Sequence, residues 1–321
     1  MTQRENPPAP AQSPGRSAVS IRRIARFTTV MYKPQYLLYG VLWVLALEGT
    51  AAWLGGMSWR PGADTAVRVG VVAIVLLYLR MVDEQKDLDY DRQHNPDRPL
   101  VTGAVSAADL RAGMAAIAVV AVAGSAALSI GSAVAIVAVL LYGLALWGLE
   151  ELCPPVRTSI LLNLAVTYPV QILVTVYVVV SAADTGQIPD GFVTTGSFVA
   201  LLVVLAGAFL QFELARKISR RPRPGETYYS NVLGVTGGVA ACVGCAVVAV
   251  AVLVSCYAPA DLTGAAAVLA WLPVAELALP LAGAVAFWRG RGDDYPPVPA
   301  ALFVLVLYAT MIAVATTAPG A

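Results

Sequence analysis

Four stretches of the chain, 112–149, 158–183, 227–260 and 295–321, contain no Asp, Glu, Lys or Arg. Each reaches or exceeds the roughly 20 apolar residues that cross a bilayer as a helix. Leu, Val and Ala dominate them, and polar residues do not recur at every second position. Helices, not a transmembrane barrel, are therefore the solution open to this chain. With 58% hydrophobic and 13% charged residues, a soluble domain would lack the polar surface to cover itself. The fold class is an all-α integral membrane protein.

Nine spans can be drawn, at about 36–56, 65–82, 106–128, 131–149, 158–182, 192–214, 229–256, 263–288 and 297–317. The third and fourth are the tightest pair, joined by a turn near "SIGS". Loop cations alternate in density. Arg22, Arg23, Arg26 and Lys33 precede the first span, and Lys86, Arg92 and Arg98 follow the second. Arg157 precedes the fifth, Arg216, Lys217, Arg220, Arg221 and Arg223 follow the sixth, and Arg289 follows the eighth. The intervening loops are nearly bare of cations. The positive-inside rule then puts the N-terminus and these loops in the cytoplasm and the C-terminus outside. An Ala-, Val- and Arg-rich composition fits a bacterial cell membrane. Residues 1–21 are expected as a disordered Pro/Ser/Ala-rich tail without a signal-peptide core, and 22–321 as one nine-helix domain. A net charge of +1 gives no field to draw in nucleic acid. Cys242 and Cys245 form a CxxC inside an apolar run, where small packing residues are the simpler reading.

The charge is concentrated in two loops that share the cytoplasmic face. The first is "RMVDEQKDLDYDRQHNPDRPL", residues 80–100. Asp83, Asp87 and Asp91 recur at i, i+4 and i+8, which on a helix places them along one stripe with Arg80, while Asp89 points elsewhere. Like charges so arranged repel, and a hard divalent cation relieves the repulsion. Mg²⁺ takes one or two carboxylates, keeps waters and accepts phosphate oxygens. The competing reading is a solvated acidic loop that halts translocation, but a stop signal needs no helical register. In the second loop, "FELARKISRRPRPGETYYSN", Glu213, Lys217 and Arg220 share a helical face, with Arg216 close to it. A cationic stripe opposite an acidic one is a diphosphate site in outline.

These residues carry a resemblance. "DEQKDLDYDRQHNPDRPLVTG" is similar to the first aspartate-rich motif of the UbiA superfamily of intramembrane prenyltransferases, with Asp83 where the family usually has Asn. Asp87 and Asp91 match the motif aspartates, and "PDRPLVTG" matches its turn. The resemblance implies nine helices around a central cavity and Mg²⁺-dependent ionisation of an isoprenyl diphosphate. It makes Asp83, Asp87, Asp91 and Glu213 the metal candidates, and those four with Lys217 the catalytic set. Arg80, Arg98, Arg157, Arg216, Lys217 and Arg220 are the diphosphate candidates. The second motif departs from the family pattern, because Lys217 stands where an aspartate is usual and cannot bind a metal while protonated. That puts two-metal chemistry in doubt and leaves diphosphate binding intact.

An allylic cation needs a dry pocket with aromatic faces. Tyr36, Tyr39, Trp43, Tyr78, Tyr142, Trp147, Tyr168 and Phe209, with Asn163, lie on spans that could line it. The leading function is prenyl transfer to an acceptor, aromatic or lipidic, within the bilayer. The alternatives are a UbiA-type terpene cyclase, which needs no acceptor, and a membrane transporter using intramembrane acids such as Glu48 and Glu276.

Overall fold

In the computed structural model, residues 19–223, 225–290 and 292–317 are described. Residues 1–18 of the expected disordered tail lie outside them. Among the described residues, nine helical segments are long and apolar enough to cross a membrane. The first four are α2 (Pro34–Leu54), α3 (Ala63–Lys86), α5 (Ala107–Leu128) and α6 (Ile130–Leu152). The fifth is broken into α8 (Ile160–Thr167) and α9 (Pro169–Asp184). Then follow α10 (Gly196–Ala215), α11 (Ser230–Tyr257), the broken pair α12 (Gly264–Glu276) and α13 (Ala278–Arg289), and α14 (Pro297–Thr317). Three shorter helices complete the set: α1 (Ile21–Met31), α4 (Leu88–His94) and α7 (Pro154–Thr158).

The breaks follow from proline. Pro169 has no N–H to continue the ladder of α8, so a new helix starts there with proline in its first turn. A single residue, Ser129, joins α5 to α6. Its Oγ accepts from Ser132 N at 2.8 Å, capping the second helix as the first ends. Helix α1 precedes the first span and is amphipathic. Its polar face carries Arg23, whose Nε donates to Asp109 Oδ2 at 2.7 Å, tying it to the first turn of α5. The same carboxylate accepts from Ser106 N at 2.9 Å, and Ser106 Oγ accepts from Asp109 N at 3.1 Å, closing a capping box.

Helix α2 packs against α3, α9, α10 and α14, α6 against α3, α5 and α9, and α10 against α11 and α14, while α12 and α13 pack against α11 and α14. The core is filled by Leu47, Val72, Met81, Tyr177, Leu205, Phe303 and Leu307, all buried. Large apolar side chains such as Val119, Ile130, Leu141, Val199 and Val268 face outward, as lipid-facing positions should. A Cβ on Gly207 would come within 2.6 Å of Cys245 O, so glycine lets α10 and α11 touch. The CxxC cysteines belong to this contact. Cys242 is buried and donates its S–H to Gln211 O at 3.2 Å, and all four cysteines are free.

The intramembrane acids have structural partners. Glu48 is fully buried and accepts from Arg68 Nε at 2.7 Å, Thr65 Oγ1 at 2.6 Å and Trp59 Nε1 at 3.0 Å. Arg68, equally buried, also reaches Thr185 Oγ1 at 2.8 Å. Glu276 accepts from Thr310 Oγ1 at 2.5 Å.

Candidate active site

The two charged loops meet at one end of the bundle, over a cavity of about 1610 Å³ that runs inward between the helices. One wall of its mouth is acidic. Asp87 ends α3 with φ −88°, ψ 8°, so the helix bends there. The i→i−4 ladder nevertheless survives: Asp87 N bonds Asp83 O at 2.9 Å, and Asp91 N bonds Asp87 O at 2.8 Å. Asp83 and Asp87 consequently both line the cavity. Lys86 Nζ lies 3.6 Å from Asp83 Oδ1, 4.0 Å from Asp87 Oδ1 and 3.0 Å from Glu150 Oε1. Asn163 Nδ2 donates to the same Glu150 oxygen at 2.7 Å. Burial pushes the Asp87 carboxyl up to about 6, with Lys86 pulling it down and Asp83 pushing it further up.

Asp91 departs from the expected stripe. It is 2% exposed, is not among the cavity-lining residues, and accepts from Asn95 Nδ2 at 2.7 Å, with Arg98 Nε 3.7 Å away. The bend at Asp87 accounts for the difference. Burial raises its carboxyl and the Asn95 bond lowers it, burial being the larger effect. Glu84, which the sequence reading passed over, gathers the cations. Its Oε2 accepts from Arg80 Nη2 at 3.2 Å and Arg98 Nη1 at 3.0 Å, and both arginines line the cavity.

The opposite wall is cationic. At the end of α10, Glu213 is held by Arg216 Nη2 at 2.6 Å and Lys217 Nζ at 3.1 Å. Arg216 lies 5.5 Å from the centre of the Phe212 ring, and Lys217 5.9 Å from that of Tyr229. Arg157, on α7, also lines the cavity. Arg220 does not. It donates to Gly290 O and Gly292 O at 3.1 Å and stacks 4.4 Å over Phe287, stapling the loop after α10 to the one after α13. The sequence placed it on the diphosphate face because a continuous helix was assumed, but α10 ends at Ala215.

Tyr36, Tyr39, Trp43, Trp147, Asn163, Tyr168 and Phe209 line the cavity as expected. Two expected lining residues are absent from it. Tyr78 is buried between helices and donates to Leu140 O at 3.2 Å. Tyr142 donates to Val166 O at 2.8 Å, next to the break before α9. Both hydroxyls serve helix packing. Residues missed from sequence are Lys86, Glu84, Glu150 and Gln171, and the loop signal was present for the first two. Over the mouth, Tyr90 stacks on His94 at 4.2 Å. Gly225, at φ +81°, passes so close that a Cβ would lie 2.6 Å from His94 Nε2.

Among the described residues, no three His, Cys, Asp or Glu side chains converge as a ready metal centre. Asp83 and Asp87 still fit Mg²⁺ as a pair. Their side chains are 48% and 47% exposed and face a water-accessible cavity, which suits an ion that takes few carboxylates and keeps waters. Glu213 fits poorly, because both its oxygens already hold cations.

Fold and site together define a membrane protein with nine candidate spans among the described residues and a charged mouth over a cavity whose inner part is lined by aromatic side chains. Solved structures of UbiA homologs are similar to it, and it shares their fold. The apo structure of a UbiA homolog from Aeropyrum pernix K1 matches with a TM-score of 0.59 at 20% identity, covering 85% of this chain and 95% of that one. A UbiA homolog from Archaeoglobus fulgidus bound to GPP and Mg²⁺ matches with a TM-score of 0.54 at 14% identity, over 88% and 98%. A structure concerning digeranylgeranylglyceryl phosphate synthase in membranes matches with a TM-score of 0.53 at 13% identity, over 92% and 99%. No family model and no curated protein matches the chain.

Proposed function

We propose that this chain is a member of the UbiA superfamily and an intramembrane prenyltransferase. It binds an isoprenyl diphosphate across the mouth of the cavity and passes the prenyl group to an acceptor dissolved in the bilayer. The observation that carries the reading is that Asp83 and Asp87 line one cavity together with Arg216, Lys217 and Arg157. The similarity to a homolog bound to GPP and Mg²⁺ supports it.

Asp83 and Asp87 are the residues that would hold Mg²⁺, which when bound supplies positive charge to the leaving diphosphate. Arg216, Lys217 and Arg157 hydrogen-bond the phosphate oxygens from the other side and stabilise charge as the C–O bond breaks. Arg80 and Arg98, fixed by Glu84, brace the acidic wall. Tyr39, Trp43, Tyr168 and Phe209 offer aromatic faces to an allylic cation and keep bulk water from it. The same aromatic walls support a second reading, cyclisation of the prenyl chain without an acceptor.

The test is diphosphate release by purified protein with Mg²⁺ and geranyl, farnesyl or geranylgeranyl diphosphate, with and without phenolic acceptors. Transfer predicts acceptor-dependent turnover, lost by at least 100-fold in Asp87→Asn. A cyclic product formed without acceptor would replace transfer by cyclisation. No release from any chain length would refute both.

A further inference from the structure

Most polar side chains buried in the spans are matched. Gln211 donates to Ala300 O at 2.6 Å, and Arg68 and Thr310 are paired as above. Among the described residues that line the cavity, Tyr39 Oη and Gln85 Oε1, nearer the mouth, lack a partner, and so do the side chains of Gln171 and Trp43 further in. Gln171 is 9% exposed, and among the described residues neither its Nε2 nor its Oε1 has a partner. Trp43 is 3% exposed and its Nε1 is likewise unmatched. Their helices, α9 and α2, pack against each other.

Depth separates this pair from the charged mouth. At 1.5 Å per residue, Trp43 lies about 13 Å along its span from Pro34, and Gln171 about 16 Å from Ile160. Asp83 lies only about 5 Å from the end of α3 by the same rise. The unmatched groups are thus roughly 10 Å further in, near the middle of the membrane. Buried polar groups in a low-dielectric medium are costly when unpaired, and a pocket end that met only a hydrocarbon tail would be served by aliphatic side chains. An indole N–H donates only, whereas an amide both donates and accepts. Their complement is an uncharged oxygen that accepts a hydrogen bond and donates one. A carbonyl would leave Gln171 Oε1 unmatched, and an ion would find no counter-charge in an amide and an indole.

We propose that Gln171, with Trp43 as a second donor, forms a hydroxyl-binding subsite at the mid-membrane end of the cavity. It takes the hydroxyl of an otherwise apolar, bilayer-soluble molecule, or a water molecule in its place. Assigning that hydroxyl to the acceptor rests on the prenyl-transfer reading; the subsite itself does not.

The test needs neither Mg²⁺ nor diphosphate. Protein labelled with ¹⁵N-tryptophan in lipid nanodiscs gives indole N–H signals for its six tryptophans, and the signal missing in Trp43→Phe is that of Trp43. Phenol should move it downfield in a saturable titration while toluene, matched in size, should not. Gln171→Met should weaken the phenol response at least tenfold. If the ligand-free signal exchanges with water and phenol fails to displace that water, the subsite stands and its occupant is water. Equal responses to phenol and toluene would overturn the proposal, as would no response to either without water exchange. The wild-type phenol–toluene contrast decides even if Gln171→Met fails to fold. A normal phenol response in protein that releases no diphosphate would sink the prenyl-transfer reading and leave the subsite.

Discussion

Lys86 offers a perturbation whose effects on two ligands should have opposite signs. Its ammonium stands between Asp83 at 3.6 Å and Asp87 at 4.0 Å, the two carboxylates assigned here to the metal. A divalent cation that takes those oxygens must displace the lysine from them. Both carboxylates are about half exposed, so each contact is worth up to about 1 kcal/mol after solvent screening. Lys86→Met should therefore tighten metal binding by about 1–2 kcal/mol, or roughly 5- to 30-fold at 1.4 kcal/mol per tenfold. The gain should shrink as salt is raised, since screening already weakens the lysine in the wild type. The same substitution removes a cation from the cavity, so the diphosphate should bind more weakly. It also leaves Glu150 with Asn163 alone, at a modest cost in stability. The assay is Mn²⁺ titration followed by EPR, on diphosphate-free protein, paired with calorimetric titration of inorganic diphosphate. Unchanged or weaker Mn²⁺ binding in a folded Lys86→Met protein would refute the competition between lysine and metal.

Three further outcomes follow from other contacts. Asp87, with its carboxyl pushed up to about 6, must lose a proton before binding metal. Mn²⁺ affinity should then be flat above pH 7 and fall about tenfold per unit below pH 6; a profile flat down to pH 4.5 would contradict the shift. The folded protein holds this proton more tightly than the unfolded chain, so the group favours the fold increasingly as pH falls from about 6 toward 4, and the contribution is lost as pH rises through 6. Arg68→Met breaks a pair with no exposure on either side and should cost about 3–5 kcal/mol, seen as a fall of order 10 °C in thermal unfolding; adding Glu48→Gln should restore part of it. Gly225→Val forces a β-branched residue to φ +81° against His94 and should speed hydrogen exchange across 217–229, with His94→Ala relieving only the steric share.

How far the sequence could be read depends on which features are local. The spans were legible because an uncharged run such as 112–149 has no other stable home, and the observed helices Ala107–Leu128 and Ile130–Leu152 divide it at Ser129. Asp83 and Asp87 were legible because one helical turn separates them. Asp91 was not, because its direction depends on the bend at Asp87 and on Asn95, which turns back to meet it. Arg220 was misplaced for a similar reason: its partners are carbonyls about 70 residues away, at Gly290 and Gly292. Tyr78 and Tyr142 have the composition of cavity residues and the positions of packing residues, a distinction that only helix rotation supplies. Gln171 did carry a signal, as the lone glutamine in the uncharged run 158–183. What the sequence could not reveal was that, among the described residues, its side chain has no hydrogen-bond partner.

The two walls of the mouth use one device with different balance. On each, a lysine follows an acid within a helical turn: Lys86 after Asp83, Lys217 after Glu213. On the first wall the lysine is outnumbered, for Asp83, Asp87 and Glu150 surround it, and its contacts to the first two are long. A divalent cation can enter there by displacing one loosely held charge. On the second wall Glu213 is outnumbered, gripped at 2.6 Å by Arg216 and 3.1 Å by Lys217. A metal there would have to evict two cations from closer contacts and then sit beside both. In the proposed reaction one wall therefore takes metal and the other takes phosphate oxygens directly, so that Arg216 and Lys217 supply the charge a second metal would otherwise bring. The clamp is asymmetric, and its asymmetry is written in which charge each lysine finds beside it.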